Sequence, residues 1–212
     1  MPDNYANFAD LAAHRREGEH YTIAKCDRRS RVLIAAPHGG RIEPHTSEIA
    51  AAIAGVRHSL YVFHGLVRGL HVTSSHFDEP QALELAGRHA TVVTVHGCAD
   101  NRSRATDVFV GGTNAKLRDA IIRELEHTGF AAGVDRRTAG CCRQNLCNRG
   151  FSGAGVQLEI TRRLRTVLAN ANAIGSRKLR AFATAIGRGV CDERPNNGLH
   201  PTALGAIVKR RG

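Results

Sequence analysis

The chain has 212 residues, which is enough for one domain with its own hydrophobic core. Its formal net charge is +11 and 26 of its 30 basic residues are arginine, a balance that indicates either an anionic partner or a GC-rich genome. Aromatic residues make up only 5% of the chain and tryptophan is missing, so stacking surfaces for single-stranded nucleic acid are scarce. The composition therefore disfavours nucleic acid as the partner.

The first 21 residues contain acidic residues, a proline and paired arginines where a secretory signal would have an apolar core. No window approaches the roughly 20 apolar residues of a membrane span. The six cysteines form neither a disulfide framework nor a zinc ribbon, so we expect mostly reduced thiols. The sequence predicts a cytoplasmic monomer without a signal peptide, which could be released when the cell lyses.

Strand and helix signals alternate through the first half of the chain. An apolar run typical of a strand buried on both faces precedes Pro37, which is expected to end that strand. A helix is expected over residues 44–55. A second helix is expected after Asp78, which can cap the amide of Gln81 with Pro80 in the first turn. The predicted strands of this half are 21–26, 31–36, 60–63, 70–73 and 91–95.

The second half continues the alternation with strands at 107–110 and 156–160 and helices at 113–127 and about 176–187. Residues 191–212 have few apolar side chains to bury, so we expect a mobile extension after a domain that covers residues 1–190. The alternation predicts a three-layer α/β domain, an open mixed β-sheet with helices on both sides.

Chemically capable side chains lie at or near the ends of the predicted strands. They are His38, His76, His96 and Glu159. In open α/β sheets the crevice beyond the carboxyl ends of the strands is where ligands bind. We therefore expect these side chains to converge on one site.

A zinc site is one use of such a cluster. His38 and Glu43 are separated by a Gly-Gly turn that could fold both onto one ion, although such a pair alone is more often a polar loop. His96 follows the apolar strand 91–95 and supplies a third ligand, which leaves a fourth position for water as in catalytic zinc sites. Glu48 could replace Glu43 if the loop runs differently.

Glu159 lies within an apolar strand, where a carboxylate needs either a function or a partner. Beside zinc it could accept a proton from water; alternatively, it pairs with Arg162 or Arg163 at a sheet edge. Arg149 and Arg162 flank this strand, and either could hold a substrate carboxylate or stabilise an oxyanion.

Four segments occur in an order and spacing that resemble the zinc-dependent poly-γ-glutamate hydrolases of bacteriophages and prophages. These segments are PHGGRIEPHTSEIA, LHVTSSHFDEP, VVTVHG and CNRGFSGAGVQLEITRRLR. The resemblance covers roughly residues 20 to 190. It departs from the family pattern at Arg41 after the two glycines and in the extension after Cys191.

The resemblance implies an open mixed sheet similar to zinc carboxypeptidases, one zinc ion, and hydrolysis of γ-glutamyl amide bonds in an anionic polymer. Zinc would be bound by the residues that match the metal ligands, His38, Glu43 and His96. Glu159 resembles the general base and Arg149 is a second catalytic candidate. Substrate contacts are expected from His76, Asn148 and Arg162.

Two other hypotheses stay open on the sequence. The same metal site could serve a zinc amidase for small N-acylated acidic amino acids, which chain-length dependence would distinguish. Alternatively, a basic nucleic-acid-binding protein could use the histidines and cysteines structurally, and steeply salt-dependent binding without hydrolysis would favour it.

Overall fold

A computed structural model of the chain describes residues 3–100, 105–134, 140–170 and 172–191. The expected extension lies almost entirely outside these residues. Within them, no helix has both the length and the apolar character needed to cross a membrane.

Seven strands form one mixed sheet in the part of the chain that the structure describes. They are β1 Tyr21–Cys26, β2 Val32–Gly40, β3 Ser59–Gly65, β4 Thr91–Cys98, β5 Val108–Gly111, β6 Ala132–Val134 and β7 Val156–Thr161. Their order in the sheet is β1-β3-β2-β4-β7-β5-β6. The four central strands, β3, β2, β4 and β7, are parallel, whereas β1 and β5 run antiparallel to their neighbours β3 and β7.

Helices cover both faces of the sheet, because β2 and β4 carry apolar side chains on both sides. The helices are α1 Phe8–His14, α2 Thr46–Ala54, α3 Pro80–Gly87, α4 Ala115–His127, α5 Arg162–Ala169 and α6 Ala173–Cys191. One apolar cluster joins the sheet to α2, α4, α5 and α6, and the other joins it to α1 and α3. The predicted three-layer α/β fold is confirmed.

Strand β2 differs from its prediction in a way that positions the site. It continues through Pro37 to Gly40, and its pairing with β3 shifts between Ala36 and Gly39 by one extra residue. Residues 36 and 38 of a regular strand would face the same side. The bulge instead turns His38 away from the face of Ala36 and toward Phe77 of the opposite cluster.

Two other local predictions are wrong. Residues 70–73 form no strand; they cross the end of the sheet, where the amide of Thr73 donates to Asp3 at 3.0 Å. Helix α3 is capped by Glu79, whose carboxylate accepts from the amides of Gln81 and Ala82, because Asp78 accepts from the amide of Phe8 instead. Helices α1 and α5 and strand β6 were not predicted.

Candidate metal and catalytic site

The carboxyl ends of β2, β4 and β7 open into a cavity of about 660 Å³. Of the eight residues predicted for the site, five line this cavity: His38, Glu43, His96, Glu159 and Arg162. They come from strand ends that are adjacent in the sheet, as the crossover topology requires.

Three side chains meet at one point of the cavity. His38 Nδ1 lies 3.1 Å from Glu43 Oε1 and 3.1 Å from His96 Nδ1, and His96 Nδ1 lies 3.6 Å from Glu43 Oε2. Donors that share a tetrahedral zinc ion at about 2.0–2.1 Å are separated by about 3.3 Å. The spacing of these three side chains therefore fits a zinc ion.

The hydrogen bonds around the cluster determine which atoms face the ion position. His38 Nε2 lies 2.8 Å from the carbonyl oxygen of Val72, which can only accept, so Nε2 carries the proton. A neutral His38 ring would present its Nδ1 lone pair to the carboxylate of Glu43, whereas a ring protonated on both nitrogens donates from Nδ1 to Glu43 Oε1. Two acceptors at 3.1 Å need a proton or a cation between them, and a histidine that donates its other nitrogen to a carbonyl is typical of a metal ligand.

Burial and nearby charge shift the pKa of the Glu43 carboxyl, which is 8% exposed, in opposite directions. Burial raises its pKa, but the neighbouring imidazoles of His38 and His96 lower it more, so the pKa lies well below its usual range. The amide of Gly97 also donates to Glu43 Oε2 at 2.8 Å. Glu43 is therefore an anionic side chain held in place at the cavity, whereas Glu48 is exposed on α2.

His71 is a nearby imidazole that the sequence reasoning missed. Its Nε2 lies 4.0 Å from Glu43 Oε1, its ring centre lies 4.4 Å from that of His38, and Nδ1 lies 2.6 Å from Asp3 Oδ1. One donor atom each from His38, Glu43 and His71 fits within 4.8 Å, so His71 is a second candidate for the third ligand. His96 makes the shorter contact with Glu43, at 3.6 Å, whereas its ring centre lies 4.9 Å from that of His38. Residues 70–73 were predicted to form a strand, so the sequence did not indicate that His71 lines the cavity.

Glu159 lies beside His96, because the two residues are paired across the parallel strands β4 and β7. Gln157, two residues earlier on the same face, donates from Nε2 to Glu159 Oε1 at 3.1 Å. Asn145 in turn donates to Gln157 Oε1 at 2.9 Å, which orients the amide. These two hydrogen bonds hold the Glu159 carboxylate at the cavity. Gln157 could have been identified from the sequence, because residues two apart in a strand face the same side.

The remaining predicted residues lie elsewhere. His76 and Arg149 line a separate depression of about 290 Å³ beside α1. Asn148 is buried, and its amide donates to the carbonyls of Gly140 and Cys142 while its oxygen accepts from Thr113. Asn148 thus organises the loop before β7, and the structure brings none of the three to the cavity.

Gly40, the second glycine after His38, is required by the backbone geometry at the end of β2. Gly40 has a φ of +66°, and a Cβ there would lie 2.3 Å from the carbonyl oxygen of Gly65. We expect Gly40→Ala to lower the free energy of unfolding by about 1–3 kcal/mol or more, measured by urea denaturation. Gly187→Ala in α6, where the added Cβ meets nothing within 4 Å, is the control and should not destabilise. Equal stability of the two variants would contradict this role.

The loop before β7 also contains a buried thiol. Burial raises the pKa of Cys147 to about 12, whereas Cys141 and Cys142 are exposed. Because the thiolate is the nucleophile, iodoacetamide at pH 8 should alkylate Cys142 at least about 100-fold faster than Cys147. Peptide mass spectrometry over time measures both rates, and the unfolded chain, where the rates should be similar, is the control. Fast labelling of Cys147 in the folded protein would contradict its burial.

Comparison with known proteins finds relatives of this chain. Residues 5–185 match the family model described as poly-gamma-glutamate hydrolase. The SPbeta prophage-derived UPF0714 protein YoqZ of Bacillus subtilis (strain 168) is 38% identical over 185 residues, which cover 82% of this chain and 65% of YoqZ. The UPF0714 protein YndL of the same organism is 35% identical over 78% of this chain and 67% of YndL.

Solved structures show the same likeness. The structure of a bacteriophage poly-gamma-glutamate hydrolase superimposes with a TM-score of 0.82 at 32% identity, covering 90% of this chain and 98% of that one. Zinc-free apo YndL superimposes with a TM-score of 0.80 at 30% identity and the same coverage. N-formylglutamate amidohydrolase from Ralstonia eutropha, at 13% identity and a TM-score of 0.53, shares the fold alone. The family predicted from the motifs is confirmed: the chain belongs to the poly-gamma-glutamate hydrolase family.

Proposed function

We propose that this protein is a zinc-dependent hydrolase that cleaves γ-glutamyl amide bonds of poly-γ-glutamate. The observation that carries the proposal is the meeting of His38, Glu43 and His96 at the carboxyl end of the sheet, where the two Nδ1 atoms lie 3.1 Å apart and each lies 3.1–3.6 Å from one Glu43 oxygen. The substrate class is supported by family membership and by the bacteriophage poly-gamma-glutamate hydrolase, which is 32% identical. The zinc-free form of YndL supports the choice of metal.

Each cavity residue has a proposed role that follows from its position. One zinc ion held by His38, Glu43 and His96 would supply Lewis-acid polarisation of the scissile carbonyl and acidify a water molecule. The Glu159 carboxylate would accept the proton of the attacking water and deliver it to the leaving amide nitrogen. Gln157 keeps Glu159 oriented for both transfers.

Arg162 is the exposed arginine of the cavity, at the first position of α5. A bidentate contact with a side-chain carboxylate of the polymer would align the chain across the zinc position. The net charge of +11 would draw the polyanion to the protein, so association should weaken as salt rises.

Metal analysis of the purified protein, combined with a poly-γ-glutamate viscosity assay, tests the proposal. We expect about one zinc per chain, a fall in viscosity on incubation, loss of activity after chelation and recovery when zinc is added back. Activity that survives complete metal removal would overturn zinc dependence. Faster hydrolysis of short N-acylated glutamates than of the polymer would instead support the small-substrate amidase.

A further inference from the structure

Arg165 is a buried cation of the cavity that the sequence reasoning did not single out. It lies in the first turns of α5 and is 5% exposed. Its guanidinium donates three hydrogen bonds, all to main-chain carbonyls: Nε to Ile160 at 3.0 Å, one terminal nitrogen to Cys98 at 3.4 Å, and the other to Pro44. One rigid planar group thus contacts three separate segments of the chain.

Each accepting carbonyl lies next to a residue of the site. Pro44 directly follows the proposed ligand Glu43, and Ile160 directly follows the proposed base Glu159. Cys98 ends β4 two residues after His96. The guanidinium therefore connects the three segments that carry two proposed ligands and the proposed base. The fixed directions of its N–H groups set the distances between these segments.

Gly97 shows how closely the guanidinium fits. A Cβ at Gly97 would lie 2.4 Å from Cζ of Arg165, so the guanidinium occupies the space that any larger residue would need. The amide of the same glycine donates to the Glu43 carboxylate at 2.8 Å. Arg165 and Glu43 thus contact the main chain beside His96 together.

The arrangement costs free energy. Burial lowers the pKa of Arg165 despite the nearby charge of Glu43, and in the described part of the chain no carboxylate oxygen lies within 4.0 Å of the guanidinium. The three carbonyl contacts offset part of this cost.

We propose that Arg165 is a positioning residue that sets the spacing of the zinc ligands and of Glu159, while the exposed Arg162 contacts the substrate. The proposal rests on the proposed function for its reaction, but metal binding tests it independently. Loss of the guanidinium should weaken zinc binding more than it weakens substrate binding.

The experiment compares Arg165→Met and Arg165→Lys with Arg162→Met in the full chain. Zinc affinity is measured by competition with a chromophoric chelator, and the visible spectrum of the Co²⁺-loaded protein reports ligand geometry. We expect Arg165→Met to weaken zinc binding about 10- to 100-fold, the range for outer-sphere partners of metal ligands, and to alter the cobalt spectrum. Its kcat should fall with little change in KM. Arg165→Lys should restore little of the zinc affinity, because one ammonium group cannot reach all three carbonyls that the guanidinium contacts.

Arg162→Met should have the opposite effect. Its zinc affinity and cobalt spectrum should match those of the wild type, while its KM should rise and depend less on salt concentration. Gly97→Ala is a second test that keeps the charge but displaces the guanidinium, and it should reproduce the zinc and cobalt effects of Arg165→Met. Circular dichroism follows the fold of every variant.

Wild-type zinc affinity and cobalt spectrum in folded Arg165→Met or Gly97→Ala would overturn the proposal, as would a rise in KM alone. Loss of the fold in both variants would also overturn it, because Arg165 would then support the whole domain rather than the site. A wild-type protein that binds zinc but leaves poly-γ-glutamate intact would contradict the proposed function, and the zinc and cobalt measurements would still decide the role of Arg165.

Discussion

Glu159→Gln should lower kcat for poly-γ-glutamate hydrolysis by about 10²- to 10⁴-fold, the usual contribution of a general base. The amide oxygen can still accept the hydrogen bond from Gln157, so the side chain keeps its place but cannot take up the proton of the attacking water. Zinc content should be unchanged, because Glu159 lies outside the proposed ligand set. Viscometry and metal analysis of the same sample measure both quantities.

Glu48→Gln is the matched control, since Glu48 is an exposed carboxylate on α2 away from the cavity. It should retain wild-type activity and zinc content. A normal rate in Glu159→Gln with zinc retained would remove Glu159 from the mechanism. Loss of zinc in Glu159→Gln would show instead that this carboxylate belongs to the ligand set.

His96→Ala should weaken zinc binding by more than about 100-fold, beyond the effect typical of an outer-sphere partner. His96 Nδ1 lies close to His38 and Glu43, and its removal would leave two of the three proposed ligands. Hydrolysis should fall to background at micromolar zinc. Chelator competition and the viscosity assay at rising zinc concentrations test the two effects separately.

His71→Ala is the comparison that decides the third ligand. Because His71 lies 4.0 Å from Glu43, we expect its replacement to weaken zinc binding less than His96→Ala does. A larger effect of His71→Ala than of His96→Ala would replace His96 by His71 in the ligand set. The cobalt spectrum provides a second readout, since loss of a nitrogen ligand alters the absorption bands.

The fold could be predicted largely from local patterns. The apolar runs of β2 and β4 are continuous because both faces of these central strands are covered, and such runs are readable in the sequence. The amphipathic spacing of α4 is equally local. The errors lie where a distant contact overrides a local rule, as when Asp78 binds the amide of Phe8 and leaves Glu79 to cap α3.

The loop before β7 shows a similar limit for site residues. Arg149 was expected to hold a substrate carboxylate or stabilise an oxyanion because it precedes the strand of Glu159, and the family resemblance implied a substrate contact by Asn148. In the structure Asn148 holds the loop together and Arg149 faces a separate depression. Sequence proximity to a strand identified the right region, but the direction of each side chain depends on the path of the loop.

The chemical types in the site and their order along the chain follow from the sequence, because strand ends, glycine turns and isolated carboxylates are local features. Tertiary structure decided how they meet. The bulge in β2 turns His38 toward the cavity, and Arg165 reaches the carbonyl of Pro44 across 121 residues of sequence. Such contacts depend on the packing of α5 and the loops against the finished sheet, so no window of sequence contains them.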